Sequence, residues 1–247
     1  MERIIVTLGT NSGMTLKESL IRDQPIDSYP LWMRPIVRAV FARAAIGIYR
    51  DPGGAIAIGR VKNHSAKFGS PWIHAVFPGV THQRYTSINA KFDRPVQIRG
   101  IGLVSELISR ITSDYSTFLS HLNGSISFGG HLLLYGLDEI DSYRSATSVN
   151  YQPPSIIMAN SLARNPHIPT NLTVLGMYPF SAIYICSSQD DCEKVYLIHD
   201  AKGRIAEWRC FSDFLSEEFL RLDALVDSEG KLAKPDRFAP TTINGNQ

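Results

Sequence analysis

The chain has 247 residues, 44% hydrophobic and 19% charged, with a formal net charge of +2. That is the composition of an ordinary soluble protein, long enough for one large or two small domains and able to bury a core without staples. No run of about 18 apolar residues occurs, which excludes a membrane-spanning helix from the expectations.

The net charge hides an asymmetry. Residues 1–100 carry 14 Lys/Arg against 6 Asp/Glu, a balance of +8, whereas residues 180–230 carry 5 against 11, a balance of −6. Such a division can steer a charged partner or hold two parts of one protein together, and it is equally what unevenly distributed solvated charge looks like. No secretory apolar region of the usual length follows Met1-Glu2-Arg3. The odd set of Cys186, Cys192 and Cys210 reads as reduced thiols, so the expected compartment is the cytoplasm.

In chain order, Ile4 to Leu8 reads as a strand, and the GTNSG that follows lacks the Lys-Ser/Thr of a phosphate-cradling loop. Leu31 to Tyr49 is the most apolar N-terminal segment. Arg34 and Arg38 share one helical side while Arg43 lies about 180° from Arg34, so a core helix edged by arginines fits better than a membrane-surface helix. Pro35 suits its first turn. Asp51-Pro52-Gly53-Gly54, between Ile48-Tyr49 and Ala55-Ile56-Ala57-Ile58, predicts a hairpin. From Lys62 to Arg99 the pattern weakens. Trp72, His74, Phe77, His82, Tyr85 and Phe92 are scattered among basic residues there, a mixture that serves either base stacking or the surface of a small α+β extension.

The most regular grammar begins at Asp114. Tyr115, Phe118, Leu119 and Leu122 fall at i, i+3, i+4 and i+7, which predicts a short helix capped by Thr112 or Ser113 and stopped at Asn123-Gly124. Ile126 and Phe128 then alternate with serines, Gly129-Gly130 permits a bend, and Leu132 to Tyr135 reads as a buried strand. Ile101 to Ile111 is a helix or extended lead-in, and Ile156 to Asn160 a short helix within the loop-rich stretch 136–169. Leu172 to Leu175, Ile183 to Ile185 and Val195 to Ile198 are strands, with turns at 187–194 and 200–203. Trp208 leads into a closing helix from Asp213 to about Val226, whose apolar arc of Phe211, Phe214, Leu215, Phe219, Leu222 and Leu225 contains Glu218. A carboxylate inside that arc needs a tyrosine, an arginine, a backbone amide or a partner. Glu217 and Arg221 read as an i,i+4 surface pair.

The ordered run of a Tyr-x-x-Phe-Leu helix, Asn123-Gly124, Gly129-Gly130, the strand closing on Leu134-Tyr135-Gly136, Gly176, two paired strands and Trp208 before FSDFLSEEFLRLDAL resembles the SUKH superfamily. That superfamily includes yeast cell-wall synthesis regulators and bacterial immunity proteins. Ser125 departs from the pattern where a second glycine is common, and Met177-Tyr178-Pro179-Phe180 replaces a polar loop. The resemblance covers residues 96–230 and implies an α+β fold, a mainly antiparallel sheet with helices packed on one side. Residues 1–95 then form a basic α+β extension and 231–247 a C-terminal tail whose order depends on docking.

The sequence contains no G-x-S-x-G, H-E-x-x-H or Walker motif. The spacing of Cys186, Cys192, His199 and Cys210 lacks the C-x-x-C of a zinc site. No enzyme, metal or cofactor is expected. The resemblance implies a protein-binding function, most simply an immunity protein that neutralises a toxin. The charges suggest how: an acidic surface of Asp190, Asp191, Glu193, Glu207, Asp213, Glu217 and Glu218 would mimic the substrate of a basic, nuclease-like toxin domain. A regulatory scaffold or a nucleic-acid-binding protein using the basic N-terminal region is the alternative.

Overall fold

The computed structural model describes residues 26–50, 55–62, 71–79, 104–137, 154–161, 163–188 and 193–240. The expectations at Ile4 to Leu8, at the Asp51 to Gly54 turn itself, and at Asp190, Asp191 and Cys192 lie outside them. The described residues form one nine-stranded sheet: β1 (Ile48–Arg50), β2 (Ile56–Arg60), β3 (Trp72–Pro78), β4 (Leu122–Ser127), β5 (Leu132–Leu134), β6 (Leu172–Tyr178), β7 (Ile183–Ser188), β8 (Val195–His199) and β9 (Gly203–Trp208). Every strand is antiparallel to its neighbour in sequence, and spatial order equals chain order. The fold is mixed α+β.

β1 and β2 pair antiparallel, as the expected hairpin requires, with Arg50 opposite Ile56. β3, however, had no counterpart among the expected strands. It pairs with β4, His74 opposite Ser127 and Ala75 opposite Ile126, so strands from both sides of residue 95 belong to one sheet.

Helices α1 (Met33–Ala42), α3 (Ser113–His121) and α5 (Phe211–Asp223) make a layer, while α2 (Val104–Ser109) and α4 (Ile156–Asn160) are short. α1 buries Met33, Ile36, Val37, Val40 and Phe41, the i, i+3, i+4, i+7 stripe that its sequence spells. It runs alongside α5. Trp32 meets Phe211 edge-on at 6.3 Å at one end, and Arg43 pairs with Asp223 at 2.9 Å at the other. Thr112 caps α3 by accepting from the Tyr115 amide at 3.3 Å. Tyr115 packs edge-on against Phe211 at 4.6 Å, and its hydroxyl donates to the carbonyls of Tyr135 and Leu175. One side chain thus fastens α3 to both α5 and the sheet.

α3 ends at His121, close to the expected stop, but Asn123-Gly124 is not its cap. Leu122 is already extended, and the pair lies inside β4. Its chemistry is used differently. Gly124, at φ +83°, lets the chain pass so close to Leu134 and Gly136 that a Cβ would lie 2.7 Å from the Leu134 carbonyl. Asn123 turns its carboxamide onto the Leu137 backbone, accepting from N–H at 2.7 Å and donating to C=O at 2.9 Å. Asn160, at the end of α4, makes the same bidentate contact with Val174, at 2.8 Å each way. β5 is too short to reach Val174, so the side chain stands in for the missing strand. The closing helix begins at Phe211, two residues before the expected start.

The C-terminal segment through residue 240 is docked. Val226 bridges Leu232, the Lys62 amide donates to the Gly230 carbonyl at 3.0 Å, and Phe238 is buried against Phe128 and His131. Part of the charge asymmetry is consumed in this docking. Arg43 binds the Asp223 carboxylate and the carbonyls of Val226 and Asp227, and Lys62 pairs with Glu229. Basic N-terminal residues hold the acidic C-terminal segment to the first strands.

Candidate functional site

The carboxylates expected to form one acidic face do different jobs. Glu218 is inside the protein, at 4% exposure. It accepts from the Tyr178 hydroxyl at 2.7 Å and forms a two-pronged pair with Arg221, at 2.9 and 2.8 Å. Burial and the adjoining Glu218 carboxylate both push the Tyr178 phenol well above its ordinary pKa, so it stays a donor. Arg221 also donates to the carbonyls of Arg237 and Phe238, which links the buried charge to the docked C-terminal segment. Glu218 is therefore removed from the surface assignment, because its lone pairs are committed indoors. The expected Glu217–Arg221 pair does not form. The buried carboxylate claims the arginine at i,i+3, and Glu217 instead accepts from the Trp208 indole at 2.9 Å.

Glu193, at φ +71°, accepts from the Ser113 amide at 3.1 Å and so completes the N-terminus of α3. Glu207 is exposed and paired with Arg204. Asp213 pairs with the well-exposed Arg209 at 3.2 Å. Glu207 also faces away from α5. It sits opposite Tyr196 in the register, while its neighbour Trp208 packs against Phe214 of α5 at 5.1 Å. Glu207 and the exposed carboxylates of α5 are therefore on opposite faces of the sheet.

Sequence reasoning missed a residue here. At 100° per residue, Asp213, Glu217 and Leu220 fall within an arc of about 60° on α5, and Leu220 is 53% exposed. The outward stripe of this helix is therefore two carboxylates followed by a bare leucine. The signal was the i, i+4, i+7 spacing, masked by the larger apolar arc on the opposite side.

Among the described residues no group of three or more His, Cys, Asp or Glu could hold a metal ion, and no helix is long and apolar enough to cross a membrane. Cys186 and Cys210 are free thiols, and burial pushes the Cys186 thiol up to about 12, so it is held protonated. Comparison with known protein families and with curated proteins found no match.

Proposed function

We propose that this chain is a non-enzymatic protein-binding domain of the SUKH type, an immunity protein that occupies and neutralises a basic toxin domain. The observation that carries the reading is the outward stripe of α5, where the exposed Leu220 follows Asp213 and Glu217 on a helix anchored by six buried residues. A rigid helix presenting an apolar anchor beside a pair of carboxylates combines a source of interface energy with a source of encounter rate. Asp213 and Glu217 attract a basic cleft, and Leu220 supplies the desolvated contact. Glu207 contributes from the far side of the β9 edge. The order of Tyr115, Gly176, the β7–β8 pair and Trp208 before α5 supports the SUKH assignment, since each sits at a joint between elements. At Gly176, for example, a Cβ would lie 2.3 Å from the Leu133 carbonyl.

The test is retention of host proteins on the tagged chain at low salt, repeated with a D213N/E217Q/L220A variant. One basic toxin-like domain, held by wild type, released by salt and lost by the variant, supports the reading. Equal retention by both proteins refutes the α5 surface. Retention of nucleic acid would move the contact to the basic first strands, where Tyr49 stacks on Trp72 at 6.3 Å near the exposed Arg50 and Arg60.

A further inference from the structure

A cleft of about 460 Å³ opens between the loop that precedes β6 and the start of β9. Its size is within the range of small-molecule sites, about 300–1,000 Å³. Leu172, Tyr196 and Ile198, all buried, form its floor, with Ser188 at one end and His167 and Arg204 on its rim.

Both walls are fixed. The loop is tied down by Arg164, which donates to Asn160 Oδ1 at 3.0 Å and to the carbonyls of Pro169 and Leu172 at 2.6 and 2.9 Å. Asn165 donates to the Tyr184 hydroxyl at 3.0 Å and to Asp200 at 2.9 Å, and accepts from the His167 amide at 2.9 Å. On the other wall a bulge in β9 sets Arg204 opposite Ile198 and Ala206 opposite Leu197. The extra residue, Ile205, brings Arg204 and Glu207 onto one face, where they pair, and lays the guanidinium over the Tyr196 ring, 4.2 Å from its centroid. The outer plane of Arg204 is thereby held flat and half-exposed at the mouth of the cleft.

The lining has one chemical sense. Among the described residues it carries an arginine and an imidazole, a serine hydroxyl and an asparagine amide, and no carboxylate. A guanidinium plane stacks flat rings, and its N–H edge pairs with carboxylate or phosphate oxygens. From this geometry we infer that the cleft binds a small planar anion, an aromatic ring bearing a carboxylate or a phosphate. The ring lies against the Arg204 plane above the apolar floor, and the anionic oxygens meet the Arg204 edge and His167. This site is separate from the α5 stripe and does not depend on the function proposed above.

The test is calorimetric titration of the full chain with four probes: adenosine 5′-monophosphate, indole-3-acetate, inorganic phosphate and indole. The expected result is saturable 1:1 binding of one or both ring-bearing anions with Kd below about 1 mM, and none of phosphate or indole alone. Adenosine monophosphate alone would identify a nucleotide site, and indole-3-acetate alone a carboxylate site. Arg204→Met should weaken binding at least about tenfold, the loss of one charge-assisted contact. Glu207→Gln should strengthen it, since it removes the carboxylate that competes for the same guanidinium. An Arg204–Glu207 pair with a purely structural role would make both variants bind more weakly. No binding of either ring-bearing anion, or affinity unchanged by Arg204→Met, overturns the proposal.

Discussion

Two neighbouring residues of α5, Glu218 and Phe219, lead into buried polar positions handled in opposite ways. Glu218 enters a closed circuit with Tyr178 and Arg221, whose further donors hold the C-terminal segment. Phe219 stacks at 5.4 Å on His74, which is fully buried, edge-on to Phe128 at 4.9 Å, and has no hydrogen-bond partner on either ring nitrogen. The first position buries a charge with its counter-charge. The second buries a polar ring held neutral, its pKa lowered to about 3 by burial and by the nearby Arg43 charge. Partnered polar groups resist removal, whereas an unpartnered one costs stability by being there.

The largest expected effect is therefore Arg221→Met, which leaves Glu218 uncompensated indoors. It should cost about 3–5 kcal/mol in urea unfolding, and a loss under 1 kcal/mol would break the comparison. Asn160→Leu should follow at about 2–3 kcal/mol, because the Val174 N–H and C=O lose their partner together. His74→Leu has the opposite sign. Replacing an unsatisfied ring by an apolar side chain should stabilise by about 1–2 kcal/mol at neutral pH.

The same variant reads out a pH dependence. The His74 pKa is lowered in the folded state, so the unfolded chain binds the proton more tightly. Stability is then full above the ordinary value of 6.5 and falls as the pH drops from there toward about 3. His131, stacked on Phe238 and lowered to about 4 by burial, adds to the same limb. Denaturation midpoints measured between pH 7 and pH 4 should decline less steeply for His74→Leu than for wild type, and parallel curves would contradict the assignment. Smallest of all, D213N/E217Q should change stability by no more than about 0.5 kcal/mol, since both side chains are on the surface.

The sequence made the partnered side of this comparison readable. Periodicity located α1, α3 and α5, and Glu218 inside the apolar arc called for a tyrosine, an arginine, a backbone amide or a partner, of which the fold supplies the first two. It could not say which arginine. The i,i+4 rule assigned Arg221 to Glu217 because helical spacing does not weigh a buried charge against a solvated one. Asn123 and Gly124 predict a helix stop because their local chemistry is that of a cap. Their actual role, receiving Leu137 and clearing Leu134, exists only once β4 and β5 are paired. β3 escaped notice for a related reason. Its inward His74 breaks the apolar alternation, and nothing local marks an imidazole that ends up between Phe128 and Phe219. The cleft was equally invisible, assembled from a loop, a bulge and a strand end far apart in the chain.

The central claim is that the exposed carboxylates and Leu220 of α5 serve binding while Glu218 serves the fold. Salt-dependent capture of host proteins, run side by side on wild type and on the D213N/E217Q/L220A variant after matching their urea midpoints, tests it directly. The expected result is loss of one basic partner from the variant at matched stability. A variant that is equally stable and retains the same partner with the same salt dependence would contradict it.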